Sequence, residues 1–159
     1  MLVDRDVYRK IAGRYATGIA IVTTRADGVD HAMTVNSFAS VSLDPILTLF
    51  CAEKIARFHD AVLAAGVWGV SVLGEDDEEA SRYFAKRGRP LEGQLHGWPH
   101  HHGELGVALF DRAVATLECR TTAVYDGGDH SIVVGEVIAV DTPSQGEPLL
   151  YHEGRYRRF

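Results

Sequence analysis

Met33-Thr34-Val35-Asn36-Ser37-Phe38-Ala39-Ser40-Val41-Ser42-Leu43-Asp44-Pro45 is the stretch on which the reading of this chain turns. Successive side chains of an extended strand point to opposite faces. Thr34, Asn36, Ser40 and Ser42 therefore fall on one side with Phe38 among them, and Met33, Val35, Ala39, Val41 and Leu43 on the other. The second set is predicted to face a core. The first offers hydroxyls and one amide, which bind carbonyls, ring nitrogens and phosphate oxygens without titrating near neutral pH. A solvent-facing strand of small polar residues accounts equally well for the spacing alone.

On the N-terminal side, Asp4 is placed to cap a short helix carrying Val7, Tyr8, Ile11 and Tyr15 at helical spacing. Ile19 to Thr24 reads as a strand, and Asp27-Gly28 as the tight turn of a hairpin returning through His31. Beyond the central stretch, Ile46 to Cys51 reads as a buried strand. Ile55, Phe58, Val62 and Leu63 then give one apolar helical face that Gly66 terminates. A strand is predicted from Val67 to Leu73. A second helix opens on Glu75-Asp76-Asp77-Glu78-Glu79, acidic groups suited to the positive end of a helix dipole, and runs to about Lys86. Residues 87–106, rich in Gly, His and Pro, read as an irregular loop. Long strands over 113–125 and 131–140 and a short pair flanking Glu153-Gly154 complete the chain. Strands do not alternate regularly with helices, so the pattern predicts a mainly β antiparallel barrel with added peripheral helices rather than a doubly wound sheet. No repeat or long linker divides the chain, and one domain over residues 1–159 is expected.

A formal charge of −6 argues against a general nucleic-acid binder, which needs a basic field. No apolar run has the roughly 20 residues of a membrane-spanning helix, so no membrane association is expected. The N-terminus, Met1-Leu2-Val3-Asp4-Arg5-Asp6, carries charges where a secretory signal has an apolar core, and a cytoplasmic location is expected. Cys51 and Cys119, both in apolar runs, are expected as free buried thiols.

The central stretch, followed by Leu49-Phe50-Cys51, resembles the flavin-binding signature of the flavin reductase-like, FMN-binding split-barrel family. The resemblance extends through Gly128-Asp129-His130, Val133-Val134-Gly135-Glu136-Val137 and Pro148-Leu149-Leu150-Tyr151-His152-Glu153-Gly154-Arg155-Tyr156, and so covers nearly the whole chain. It implies a six-stranded antiparallel split β-barrel that dimerises, with flavin near the subunit interface. It implies an NADH- or NADPH-dependent reductase of FMN or FAD, which in many relatives supplies reduced flavin to a separate monooxygenase. By position, Thr34, Val35, Asn36 and Ser37 would line the flavin ring, and Ser40, Val41 and Ser42 the ribityl chain and phosphate. Cys51 and Ala52 would approach through their backbones.

Arg57 matches a cationic position in some relatives. It also has a physical case of its own: the free N–H groups at the start of a helix favour an anion, and a guanidinium adds a bidentate contact. A plain surface arginine is the competing reading, and Lys54 is a second candidate. Where many relatives carry Ser or Thr, this chain reads Glu53-Lys54-Ile55-Ala56, so a phosphate-binding hydroxyl is missing. His130 matches the family histidine near flavin and nicotinamide. Hydride transfer needs stacking and a short distance more than a protein acid, so a positioning role is expected, against a histidine simply satisfied in a hairpin turn. Tyr83 and Phe84 would cover the flavin or pack in the core, and Tyr156 would reach the nicotinamide side. The alternative function on the same fold is a non-catalytic flavin or haem carrier or sensor.

The cluster His96, His100, His101 and His102 lacks the i, i+4 helical spacing of a paired metal site and reads as an exposed loop; no metal is expected. No G-x-G-x-x-G follows a strand, so nicotinamide binding would have to use the flavin's own pocket.

Overall fold

The structure, a computed structural model, describes residues 2–159; Met1, the head of the charged N-terminal stretch, lies outside the described residues. In chain order the elements are α1 (Arg5–Ala12), β1 (Thr17–Gly18), β2 (Ala20–Ala26), β3 (Val29–Val35), β4 (Ala39–Leu43), β5 (Ile46–Glu53), α2 (Arg57–Ala65), β6 (Val67–Val72), α3 (Glu78–Ala85), β7 (His100–His102), β8 (Ala108–Phe110), β9 (Ala115–Gly127), β10 (His130–Asp141), β11 (Leu150–His152) and β12 (Arg155–Arg157). Among the described residues no helix is long and apolar enough to cross a membrane.

Seven strands form one antiparallel sheet in the order β3-β2-β6-β9-β10-β5-β4. Its two edge strands, β3 and β4, are neighbours in sequence, joined only by residues 36–38. Laid flat, such a sheet would hold its edges roughly 29 Å apart at the usual strand spacing. Four residue steps span at most about 14 Å. The sheet must therefore curl until the end of β3 and the start of β4 lie within that distance; the two edges do not pair, which makes it a split barrel. The stretch from Met33 to Leu43 does not run as one strand, because it passes from one edge to the other at residues 36–38. Counted as a single bent strand it gives the six-stranded barrel expected; counted as β3 and β4 it gives seven.

Strand β2, next to the β3 edge, is buried on both faces along Ala20 to Thr24, which is why its sequence is apolar without alternation. Ala20 and Val22 point into a cluster with Val35, Phe50, Ala52, Phe58, Val62, Trp68, Val70, Cys119 and Val133. Ile21 points the other way, to Ala32, Leu73, Ala80, Phe84, Leu95, Phe110 and Leu149. Phe50 and Trp68 meet edge to face at 4.7 Å between ring centroids. Helix α2 seats Phe58, Ala61 and Val62 on the first cluster and ends at Gly66, whose φ of 68° gives the left-handed cap. Helix α3 buries Ala80, Ser81 and Phe84 on the second.

Several expectations change in detail. Ala39, Val41 and Leu43, expected in a core, are exposed, Leu43 at 86%, because the β4–β5 hairpin is the sheet's free edge. Asp4 caps α1 through Oδ1, which accepts from the N–H groups of Asp6 and Val7 at 2.9 and 3.1 Å. The apolar residues of that helix nonetheless lie on the surface. Ile55 is exposed and precedes α2. Helix α3 starts only at Glu78, because Asp77 turns its Oδ2 back to accept from the Gly74 N–H. The stretch 87–106 is not wholly irregular: His100–His102 pair with Ala108–Phe110. Both cysteines are free; Cys119 is buried as expected, whereas Cys51 is only half-buried because it borders a cleft. Burial, and after it the neighbouring Glu118 charge, push the Cys119 thiol up to about 12.

Gly135 lies in β10 beside a register shift against β9. A Cβ there would come within 2.6 Å of the Trp68 ring and 3.1 Å of the Arg120 carbonyl oxygen. Trp68 is fully buried and has no room to retreat. Gly135→Ala is expected to lower unfolding stability by about 1–3 kcal/mol through overpacking. Urea denaturation reads this as a lower midpoint at unchanged slope, and an unchanged midpoint would show that the ring can move aside.

Candidate functional site

A cleft of about 410 Å³ opens between β3, the end of β5, the start of α2 and the C-terminal end of α3. This is the size range of small-molecule sites. Thr34, Val35, Asn36, Ser37, Cys51, Arg57, Phe84 and His130 all line it, so the structure brings together most of the residues picked out in the sequence. Tyr156 borders an adjoining cleft whose wall is again Thr34, Val35 and Asn36. A third cleft, near Tyr15 and Phe38, shares Val35, Asn36 and Ser37. The bend that closes the barrel is thus a wall common to three concavities, and exposed Asn36 faces all of them.

Other expected residues fall elsewhere. Ser40, Val41 and Ser42 do not border this cleft; they sit on the exposed β4 edge. Ala52 is buried in the barrel core. Lys54 is drawn by Asp126 to the β9–β10 turn. Tyr83 packs on Trp98 at 5.7 Å and does not reach the cleft.

The hydroxyls of the wall are partly committed. Thr34 Oγ1 donates to the Ser81 carbonyl at 2.7 Å, tying β3 to α3. Ser37 Oγ accepts from the Cys51 N–H at 2.9 Å, fixing the bend against β5. His130 Nδ1 lies 2.7 Å from Asp129 Oδ1, which orients the ring and holds the Asp129 carboxyl below its usual range. Tyr156 is fixed by its hydroxyl, 2.8 Å from Ser81 Oγ, and by the Arg82 guanidinium stacked 4.6 Å from its ring centroid.

The cleft is positively charged although the chain is acidic. Arg57, Lys86, Arg87 and Arg89 line it against one carboxylate, Glu53. Glu53 is held by Arg87 at 2.7 Å through each oxygen. Arg89 is the structural centre of the group. Its guanidinium donates to the carbonyls of Phe84 at 3.0 Å, Ala32 at 2.7 Å and Lys86. It thereby pins the end of α3 to β3. Burial, and then the charge of Arg57, lower its pKa. Arg57 donates to the Arg89 carbonyl at 2.9 Å and is otherwise exposed. It stands in the first turn of α2, whose N-cap Ala56 supplies no side-chain bond, so the first amides face the cleft uncapped. Burial first, and Arg57 second, hold the His31 imidazole below its ordinary value of 6.5, against the opposing pull of Asp30 and Asp27.

Neutral hydrogen-bonding groups thus line the bend, with cations and free helix amides at one end. That arrangement suits a planar, carbonyl-rich ring carrying a phosphate. Residues 12–159 match the profile of the flavin reductase like domain. The chain belongs to the flavin reductase-like family. It is 40% identical over 159 residues to the NADH-dependent FAD reductase of Streptomyces globisporus, covering 98% of this chain and 86% of that protein. It is 34% identical over 156 residues to the flavin-dependent monooxygenase reductase subunit HsaB of Mycobacterium tuberculosis, covering 97% and 82%. The solved NADH:FAD oxidoreductase SgcE6 of Streptomyces globisporus, in complex with NAD and FAD fragments, superposes with a TM-score of 0.92 at 39% identity, covering 100% of this chain and 96% of that one.

Within this flavin reductase-like site, sequence reasoning missed His31, Glu53, Lys86, Arg87, Arg89 and Gln94. Three of these lie in the stretch read as an irregular loop, and only the basic run Lys86-Arg87-Gly88-Arg89 could have signalled them. Arg89→Lys keeps the charge but cannot reach three carbonyls at once. The variant is expected to weaken flavin binding about tenfold or more, the effect of one or two charge-assisted hydrogen bonds. Fluorescence titration with FMN and FAD tests this; wild-type affinity would mean the cleft holds its shape without the Arg89 contacts.

Proposed function

We propose that this chain is an NAD(P)H-dependent flavin reductase that passes reduced flavin to a partner monooxygenase. The observation that carries the reading is the wall of residues 34–36 that two clefts share: one cleft beside it is basic, and the next is bordered by Tyr156. Bound together, nicotinamide supplies a hydride and flavin N5 accepts it. The protein's own part is placement. Asn36 and the backbone at Ser37 offer neutral partners for a ring edge, and Arg57 with the open end of α2 holds an anionic tail. Phe84, itself buried, forms apolar floor. His130, oriented by Asp129, stands at the rim where it can fix an approaching ring without giving up a proton. Related proteins named as reductase subunits of flavin-dependent monooxygenases support the transfer of product to a second enzyme. Two free cysteines suit a reducing compartment, and we assign the protein to the cytoplasm.

The test is anaerobic absorbance of the flavin band while NADH or NADPH is added. Wild-type protein should bleach FMN or FAD catalytically, and His130→Ala should lower turnover roughly tenfold or more while flavin affinity holds. Flavin bound but left oxidised with both nucleotides would favour a carrier or sensor.

We further propose a homodimer. Val41, Leu43 and Ile46 expose apolar side chains on the free β4–β5 edge at 48%, 86% and 53%. An exposed apolar edge strand is a pairing surface that a monomer would have to blunt. A second copy seated there brings Ser40 and Ser42 to the interface, the position from which we propose that they reach flavin. Leu43→Lys should halve the mass found by analytical ultracentrifugation at micromolar concentration. A wild-type monomer, or a variant that stays dimeric, would discard this face.

A further inference from the structure

The histidine cluster, read in sequence as an exposed loop, is a short strand in the fold. In β7 the i, i+2 spacing of a strand puts His100 and His102 on one face, with ring centroids 5.7 Å apart. His101 points the other way, to Asp111 at 2.7 Å. The strand is held firmly. It pairs with β8, and the turn between them is anchored by the buried Glu118 carboxylate, which accepts from the N–H groups of Glu104 and Leu105 at 3.0 and 2.7 Å.

Facing His100 and His102 is Asp30 of β3, whose side chain is only 16% exposed. Its two carboxylate oxygens lie 3.1 and 2.9 Å from His102 Nε2. One ligand atom from each of Asp30, His100 and His102 falls within 4.8 Å of the others. His100 Nδ1 is 2.7 Å from the Trp98 carbonyl oxygen. A carbonyl only accepts, so Nδ1 carries the hydrogen and the neutral ring leaves Nε2 as its lone pair. Orientation of a ligand histidine by a carbonyl on its other nitrogen is the usual support of a metal site. Small rotations bring such atoms to the roughly 3.3 Å edge of a tetrahedron with ligands about 2.0 Å from zinc.

A cation already fills part of this place. Arg25, the cross-strand partner of Asp30, puts one guanidinium nitrogen 3.1 Å from Asp30 Oδ1 and 3.2 Å from His102 Nε2. Arg25 is 42% exposed at its side chain and has solvent to swing into. We propose that Asp30, His100 and His102 form a site for a zinc-class divalent metal ion, with three protein ligands and a water, for which the Arg25 guanidinium is the resident competitor. Two imidazoles and one carboxylate favour zinc, nickel or cobalt over magnesium or calcium. The ion would link β7 to β3 at a point where the Asp30 carbonyl also accepts from Gln94 Nε2 at 3.0 Å, and Gln94 lines the basic cleft. The segment 94–102 would then be fastened to the sheet at two places.

The experiment is titration of the full chain, free of any histidine tag, with Co²⁺ by visible absorbance and with Zn²⁺ by calorimetry and thermal melting. One Co²⁺ per chain should bind with the intense bands of a tetrahedral ion, and Zn²⁺ should compete it away and raise the melting temperature. His100→Gln and His102→Gln should each weaken binding by more than about tenfold, while circular dichroism and flavin reductase turnover without added metal stay as in wild type. Arg25→Gln should tighten binding. His101→Gln and His96→Gln should leave it unchanged and serve as controls for adventitious surface histidines. Binding that survives His100→Gln and His102→Gln, or that is lost equally in the controls, overturns the proposal, as does failure of wild type and Arg25→Gln alike to bind either ion.

Discussion

Everything in this molecule depends on a short span. Residues 36–38 are all that connect the two edges of a seven-strand sheet. The chain is too short there to bridge a flat sheet, so closure is enforced by covalent length before any side chain is considered. The bend has a second consequence. Where the strand leaves one edge and joins the other, its backbone stops pairing regularly and its side chains face open space on more than one side. Asn36, at the head of that span, lines three clefts, and Ser37 lines two of them. Ser37 illustrates the coupling, since the bond from the Cys51 N–H to its Oγ both stabilises the bend and shapes the cleft.

The second layer of organisation is electrostatic. Four cations around one cleft in a chain of net charge −6 repel one another, and burial of Arg89 aggravates this. The arrangement persists because Arg89 spends its donors on three backbone carbonyls that converge from α3 and β3. A desolvated guanidinium is tolerable only when its fork is satisfied in this way. The positive field that remains is directed at the cleft, where Arg57 and the open α2 terminus have no carboxylate of their own. Glu53 is already engaged with Arg87. A phosphate entering the cleft would meet charge that is not neutralised internally, and would relieve the repulsion between Arg57 and Arg89.

Much of this was legible in the sequence, for reasons that can be named. Period-two and unbroken apolar runs located β2, β5, β6, β9 and β10, because strands inside a barrel must bury one face or both. Asp4 and Gly66 marked helix ends because caps are local chemistry. What sequence missed was tertiary. Alternation placed Val41 and Leu43 in a core, but it cannot say that the strand crosses to a free edge after Phe38. The α1 residues Val7, Tyr8 and Ile11 have helical spacing yet lie largely exposed. In the site, Thr34 to Ser37, Arg57 and His130 were found from motif and resemblance, while Arg89 and His31 were not. Their roles come from three-dimensional convergence: Arg89 reaches carbonyls separated by more than fifty residues. The histidines of β7 read in sequence as part of an irregular loop, but they pair with β8 as a strand, a partnership that local spacing does not announce.

The distribution of chemistry around the bend also bears on how such a site would work. Hydride transfer is satisfied by two flat rings held face to face at short range, and effective concentration supplies most of what the reaction needs. The residues present fit that economy. The groups of the wall at residues 34–37 are an amide, hydroxyls and backbone, and the one carboxylate lining the cleft, Glu53, is held by Arg87. His130 is half-exposed and tied to an exposed aspartate, an arrangement that orients a ring better than it tunes a proton donor. The charged binding groups, the arginines and the open end of α2, line the same cleft as the bend and would hold a ligand's anionic tail. Tail contacts through exposed charge are readily exchanged with solvent, so a ligand held mainly by them is retained long enough to react and is still able to leave. A chain that exports its product to another enzyme needs that combination, whereas a carrier that keeps its cofactor would bury the ring.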